Sequence, residues 1–370
     1  MSSMAIDRRS LLLGTLAFVG SARMGTSFAS EAQQDVAYVA TARRGGDDYC
    51  VVLLKADGSI IREIPLSARG HDAAYHRASG RVVVFARRPG NFGVAFELGT
   101  TTPPDIFTAG EGRHYYGHGS FSRDGRLLYA SENDVAGRRG VIGIYDVGRG
   151  YKKIGEHPSY GIDPHEIMLL ADGKTIAVGN GGIDTVPDAW RAKLNIDTMQ
   201  PSLAFVDAES GKLIAQHFMS GDLKFLSIRH LAQDKSGLIW FGGQWQGGPS
   251  ETPQIVGSAG LDRDMKLVDA PGGGKDLRGY IGAMAVSEDG RYIAASAPKA
   301  GQVLYVDTET GKVAGRGTLK DVCGVSSDGE HDFAASSGFG VIRYETAEAR
   351  VLSEHELQNI AFDNHLRRIS

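Results

Sequence analysis

The sequence predicts an all-β fold: a seven-bladed β-propeller closed by a C-terminal strand that completes the first blade. Three observations predict it. Seven short apolar segments recur, each a strand that ends in small residues before a Gly- or Arg-containing loop. Their starts lie roughly 40–60 residues apart, the spacing of four-stranded propeller blades. Glycine is abundant, at 50 of 370 residues, and many apolar runs are bounded by Asp-Gly or Ser-Gly, the pattern of strands joined by tight turns. Finally, the first blade lacks an inner strand, and an unpaired one stands at the far end of the chain.

Taken in order, residues 1–29 read as an export leader, cleaved after Ala29. Asp7-Arg8-Arg9-Ser10-Leu11-Leu12 opens it, an apolar stretch runs to Ala22, and Ser27-Phe28-Ala29 supplies a small-x-Ala site. The paired arginines before Leu11 and Leu12 resemble a twin-arginine signal, which predicts a periplasmic protein exported already folded. The apolar part, Ser10 to Ala22, has 13 residues, short of the ~20 that span a bilayer, and no later stretch reads as a membrane span. The leader takes three arginines and one aspartate with it, so the net charge of −4 becomes −6. No global basic field therefore argues for nucleic acid.

Residues 30–370 are predicted to form the propeller. The recurring segments are "AYVATARRGG" (37–46), "VVVFARRPGN" (82–91), "LLYASENDVA" (127–136), "TIAVGNGGID" (175–184), "LIWFGGQWQG" (238–247), "YIAASAPKAG" (292–301) and "DFAASSGFGV" (332–341). Six follow a turn: Ser79-Gly80, Asp124-Gly125, Asp172-Gly173, Ser236-Gly237, Asp289-Gly290 and Asp328-Gly329. "PSLAFVDAESGKLIAQ" and "QVLYVDTETGKVAG" read as outer hairpins turning at Asp-x-x-x-Gly. The third blade resembles a tryptophan-aspartate-repeat blade with Tyr145-Asp146 in place of Trp-Asp. "NIAFDNHLRRI" (359–369) is the strand that closes the ring, which removes an open sheet edge. One large insertion, about 180–200, falls between the second and third strands of the fourth blade.

Connectivity then selects a face. Strands run outward from the axis, each antiparallel to the last, so the start of every inner strand and the end of every second strand share one end of the molecule. At the inner-strand start the blades present His71, His118, His165, His230, Gly282, Cys323 and Asn359. Four consecutive blades thus carry histidine, and His114 precedes His118 in "GRHYYGHG". Two readings are open: imidazoles converging on an ion, or the packing histidine of tryptophan-aspartate repeats. Neutral imidazoles in a group suit iron, copper or zinc. Second-strand ends add Arg43-Arg44, Arg87-Arg88, Asn180, Gln244-Trp245 and Lys299. A guanidinium fork suits carboxylate or phosphate oxygens, so Arg87, Arg88 and Arg113 are candidates to neutralise an anionic ligand.

Cys323 is a further candidate ligand. It is placed on an inner strand and Cys50 on an outer one, too far apart to predict a disulfide. No Gly-x-Ser-x-Gly elbow, phosphate-cradling glycine loop or His-Glu-x-x-His occurs. Glu166, beside His165, is the candidate general base if a reaction is catalysed.

Several stretches together, "GRHYYGHGSFSRDGRLLYASEND", "GIDPHEI", "GNGGIDT", "KLNIDTMQPSL" and "SIRHLA", resemble an exported bacterial family catalogued as domain of unknown function 1513. The resemblance covers essentially the whole mature chain. It implies a propeller without an assigned activity, encoded near imelysin-type iron-uptake proteins and a dihaem oxidoreductase-like protein, hence periplasmic iron or metal handling with imelysin-type partners. The family commonly has Gly-Gly-Ile-x-Thr-His-Pro where this chain has Val186 before Pro187. The expected function is a metal- or metal-chelate-binding accessory protein. The alternatives are a metal-dependent lactonase-like hydrolase, or an interaction platform with a structural histidine ring.

Overall fold

The computed structural model describes residues 35–88, 90–185 and 192–369; the predicted leader and Val186 lie outside them. Turn chemistry sets the strand lengths. Asp207 and Asp307 each accept a hydrogen bond from the backbone N–H three residues on, at 2.7 and 2.9 Å, which fixes the outer hairpins of two blades.

The strands assemble into seven four-stranded antiparallel sheets. The first blade has β1 (Tyr38–Arg44), β2 (Asp48–Leu54) and β3 (Ile60–Leu66). The second has β4 (Gly70–His76), β5 (Arg81–Ala86), β6 (Phe92–Glu97) and β7 (Asp105–Thr108). The third has β8 (Arg113–Phe121), β9 (Leu127–Asp134), β10 (Arg139–Asp146) and β11 (Lys152–Pro158). The fourth has β12 (Pro164–Leu169), β13 (Thr175–Asn180), β14 (Ser202–Asp207) and β15 (Leu213–Phe218). The fifth has β16 (Leu226–Gln233), β17 (Ile239–Trp245), β18 (Val256–Ala259) and β19 (Lys266–Leu267). The sixth has β20 (Ala283–Val286), β21 (Tyr292–Ala297), β22 (Gln302–Asp307) and β23 (Val313–Thr318). The seventh has β24 (Val322–Ser327), β25 (Asp332–Ser337), β26 (Val341–Thr346) and β27 (Val351–Glu356). The last strand, β28 (Ile360–Arg368), returns to the first blade as its inner strand. The predicted architecture and its closure are both observed.

Apolar side chains fill the wedges between neighbouring sheets. Phe85, Phe107, Tyr115 and Tyr145, for example, interlock between the second and third blades. The closing strand pairs antiparallel with β1, from Tyr38 opposite Arg368 to Arg44 opposite Ile360. A polar clasp joins it to the seventh blade: Arg368 Nη1 donates to Asp328 Oδ1 at 2.8 Å and to the Tyr38 hydroxyl at 3.0 Å. The insertion between β13 and β14 brings Ile183, Thr185 and Lys193 over the axial mouth.

Candidate metal centre

In six blades the inner strand departs from regular pairing at the same level. The shifts fall at Gly70–Ala73 on β4, Tyr115–Gly119 on β8, Pro164–Glu166 on β12, Ile228–His230 on β16, Val322–Val325 on β24 and Phe362–Leu366 on β28. A bulge adds residues to one strand and re-aims a side chain. In five of the blades the bulged segment holds or borders one of His71, His118, His165, His230 and His365. Gly117 shows how tight the packing is. Its φ of +106° favours glycine, and a Cβ there would collide with the His71 ring.

The five imidazoles cluster on the axis. His118 lies with its ring centroid 4.8 Å from those of His71 and His365, 5.2 Å from His165 and 5.6 Å from His230. His71, His118 and His365 each offer a ligand atom within 4.8 Å of the others, and so do His118, His165 and His230. His118 and His230 are fully buried, His71 and His365 nearly so, and His165 is half-buried beneath a cavity.

Carboxylates fix two of the ring orientations. His118 Nδ1 lies 2.8 Å from Asp72 Oδ2, and His230 Nδ1 lies 3.1 Å from Glu166 Oε2. Ionised carboxylates only accept, so both rings carry a proton on Nδ1, which in neutral imidazole leaves the lone pair on Nε2. Those two Nε2 atoms, His365 Nε2 and His71 Nδ1 are buried without a hydrogen-bond partner. His165 differs: its Nδ1 accepts from Arg229 Nη1 at 3.0 Å.

Arg367 organises the carboxylates from below. Its Nε donates to Asp72 Oδ1 at 2.7 Å and its Nη2 to Glu166 Oε1 at 3.0 Å. Burial pushes both carboxyls toward the neutral form. For Asp72 that push is outweighed by Arg367, His365 and the hydrogen bonds from Arg367 and His118, which hold it well below the usual range. For Glu166 it is outweighed by His118, Arg367 and His230, which bring it to about 2. Burial is also the first cause that holds His71, His165 and His365 well below 6.5, and that lowers His230, with neighbouring cationic groups adding to it. His71, His165, His230 and His365 are thus held toward the neutral form, the form in which imidazole binds metal.

A cavity of about 310 Å³ opens above the rings, with His71 and His165 among the residues that line it. Arg87, Arg88, Lys193, Arg229 and Lys299 line it too, against one carboxylate among the described residues, Asp163. Arg87 Nη1 donates to Asp363 at 2.7 Å and to Asn364 Oδ1 at 2.9 Å, and Arg88 Nη1 donates to Thr185 Oγ1 at 2.7 Å.

The other predicted site residues lie apart from this cluster. Arg113 is held by Glu156 on the outermost strand, at 2.9 and 2.8 Å, and by Asp134 at 2.8 Å. His114 sits four residues before His118, opposite Asn133, and belongs to neither imidazole trio. Cys323 lines an adjacent cavity of about 240 Å³, where burial raises its thiol to about 12; it and Cys50 are free. Sequence reasoning missed His365, Asp72 and Arg367. Register counted from strand ends could have found the first, since His118, His230 and His365 each stand three residues before the end of their strand.

Fold and site together define a closed seven-bladed propeller with a buried imidazole cluster on its axis, a cluster able to hold a metal ion. The chain belongs to the family described as Protein of unknown function (DUF1513), whose profile matches residues 64–369. No curated protein matches it. Among solved structures it is similar to Kuenenia stuttgartiensis hydrazine synthase, with 13% sequence identity, 92% of this chain and 99% of that chain covered, and a TM-score of 0.61. At that identity the likeness is one of fold. No helix among the described residues is long and apolar enough to cross a membrane.

Proposed function

We propose that the protein is a periplasmic accessory protein that binds a transition-metal ion or its chelate on the axial imidazoles, through His118 with His71 and His365 or with His165 and His230, in iron or related metal handling. One observation carries the reading: four imidazole nitrogens are buried on the axis with no hydrogen-bond partner. An unsatisfied buried polar atom costs about 1–3 kcal/mol, and an ion removes that cost for each nitrogen whose lone pair it accepts. The carboxylate-to-Nδ1 bonds at His118 and His230 are the outer contacts that orient metal-bound imidazoles. An all-nitrogen donor set suits iron, copper or zinc over calcium or magnesium. The gene neighbourhood that the family resemblance implies would fit iron, with imelysin-type proteins as partners.

The hydrolase reading is less well supported. Glu166 is engaged by His230, the Leu231 N–H and Arg367, and its pKa of about 2 lies far from the near-neutral value a general base needs.

Elemental analysis of protein exported by its own leader tests the proposal. About one iron, copper or zinc per chain is expected, and His118→Ala with His230→Ala should abolish uptake. Wild-type protein that is isolated metal-free and takes up none of the three ions would overturn it.

A further inference from the structure

From the charges facing the axial cavity we infer a second binding site: the cavity above the imidazoles binds a small tricarboxylate. Two of the five cations are already matched, since Arg229 lies 3.0 Å from Asp163 and Arg87 lies 2.7 Å from Asp363. Arg88, Lys193 and Lys299 have no carboxylate partner among the described residues. Arg88 instead meets Thr185 and the Tyr116 ring, Lys193 the Gln246 amide oxygen, and Lys299 the Tyr280 ring. Three cations thus face one cavity unbalanced.

Their placement selects the shape of the anion. Arg88 follows β5 in the second blade, Lys193 lies in the insertion of the fourth, and Lys299 follows β21 in the sixth. The charges come from three different blades and line one cavity. A ligand with three carboxylate arms offers one anionic group to each of these cations, whereas a single tetrahedral anion offers one group to all three. The volume, about 310 Å³, equals about ten waters of liquid and sits at the small end of ligand pockets. Tyr116 adds a buried hydroxyl beside Thr185 and Arg88. Burial, Arg229 and Lys299 all lower the Lys193 pKa, the strain that a bound anion relieves.

The anion site stands on the three cations alone; the suggestion that its ligand arrives as the chelate of the bound metal rests on the reading above. With His71 and His165 lining the cavity, a seated tricarboxylate would lie beside the imidazoles that would hold the ion.

Calorimetric titration of the metal-free protein with citrate, succinate and inorganic phosphate tests this. Citrate is expected to bind at least tenfold more tightly than succinate, and phosphate more weakly still. Lys193→Gln with Lys299→Gln should weaken citrate at least tenfold. His118→Ala with His230→Ala should retain citrate while losing the ion, so that the two readings fail separately. Absence of citrate binding at millimolar concentration, equal binding of phosphate, or citrate affinity unchanged in the lysine double variant would each overturn the inference.

Discussion

Blades one to five and blades six and seven share one architecture but differ at the axis. The first five each contribute an imidazole, from His365, His71, His118, His165 and His230, and each bends its inner strand to do so. The sixth runs in regular register with Ala283 and Met284 packed inward. The seventh bulges without an imidazole, and its Gly324 lets the closing strand's backbone pass against it. A propeller blade therefore needs neither the buried histidine nor its carboxylate. The five-blade arc carries buried polar groups that the other two blades do without, which makes it the candidate site.

The difference is most exposed by acid. A histidine whose folded pKa is depressed remains neutral in the native protein while the unfolded chain takes up a proton below about 6.5. Its stabilising contribution is complete above that pH and is lost as pH falls beneath it. His71, His165, His230 and His365 all shift in this direction. Each adds a slope of at most about 1.4 kcal/mol per pH unit. Asp72 and Glu166, lowered instead, contribute above their unfolded pKa near 4 and extend the loss below it. Metal-free protein should show a steadily falling urea midpoint from pH 7 to 5; a flat profile would mean that the arc is not held neutral.

Next in size is the removal of Arg367. Arg367→Met strands two buried carboxylates, and breaking such a pair costs about 3–5 kcal/mol. Arg343→Met in the seventh blade, which loses a partly exposed pair with Glu354, should cost under about 1 kcal/mol. Equal losses in denaturant unfolding would erase the distinction between the two regions.

How much of this was legible follows from what the chain writes locally and what it does not. Turns and alternating apolar runs are local, so seven blades and their closure could be counted. His71, His118, His165 and His230 could be aligned because each lies six to eight residues before its blade's Asp-Gly or Ser-Gly turn, although only His71 and His165 stand at the start of their strands. His365 escaped because β28 inserts two extra residues opposite Ala40–Ala42, so counting forward from Asn359 loses the register. Arg367 escaped for a different reason. Its partners Asp72 and Glu166 lie 295 and 201 residues away, and no spacing rule relates them. Arg113 shows the opposite failure. It shares β8 with His118, yet its side chain serves the blade's outer edge.

Smaller effects sharpen the same contrast. Gly117→Ala, which meets the His71 ring, should destabilise more than Gly112→Ala, where nothing lies within 4 Å and only the positive φ of 67° opposes a side chain. The latter costs ~1–2 kcal/mol. Thermal melts of the two variants compare them directly. Cys323→Ala, in the seventh blade, is expected to leave the measured metal content unchanged, and a fall would enlarge the arc to include that blade.

The strand that fastens the ring also carries His365 and Arg367. A nascent chain still on the ribosome, or one clipped before Ile360, has neither the fastening nor the fifth imidazole, and its two buried acids lack their common cation. Only a chain whose synthesis and closure are finished therefore presents all five imidazoles together with the cation that its two buried acids share.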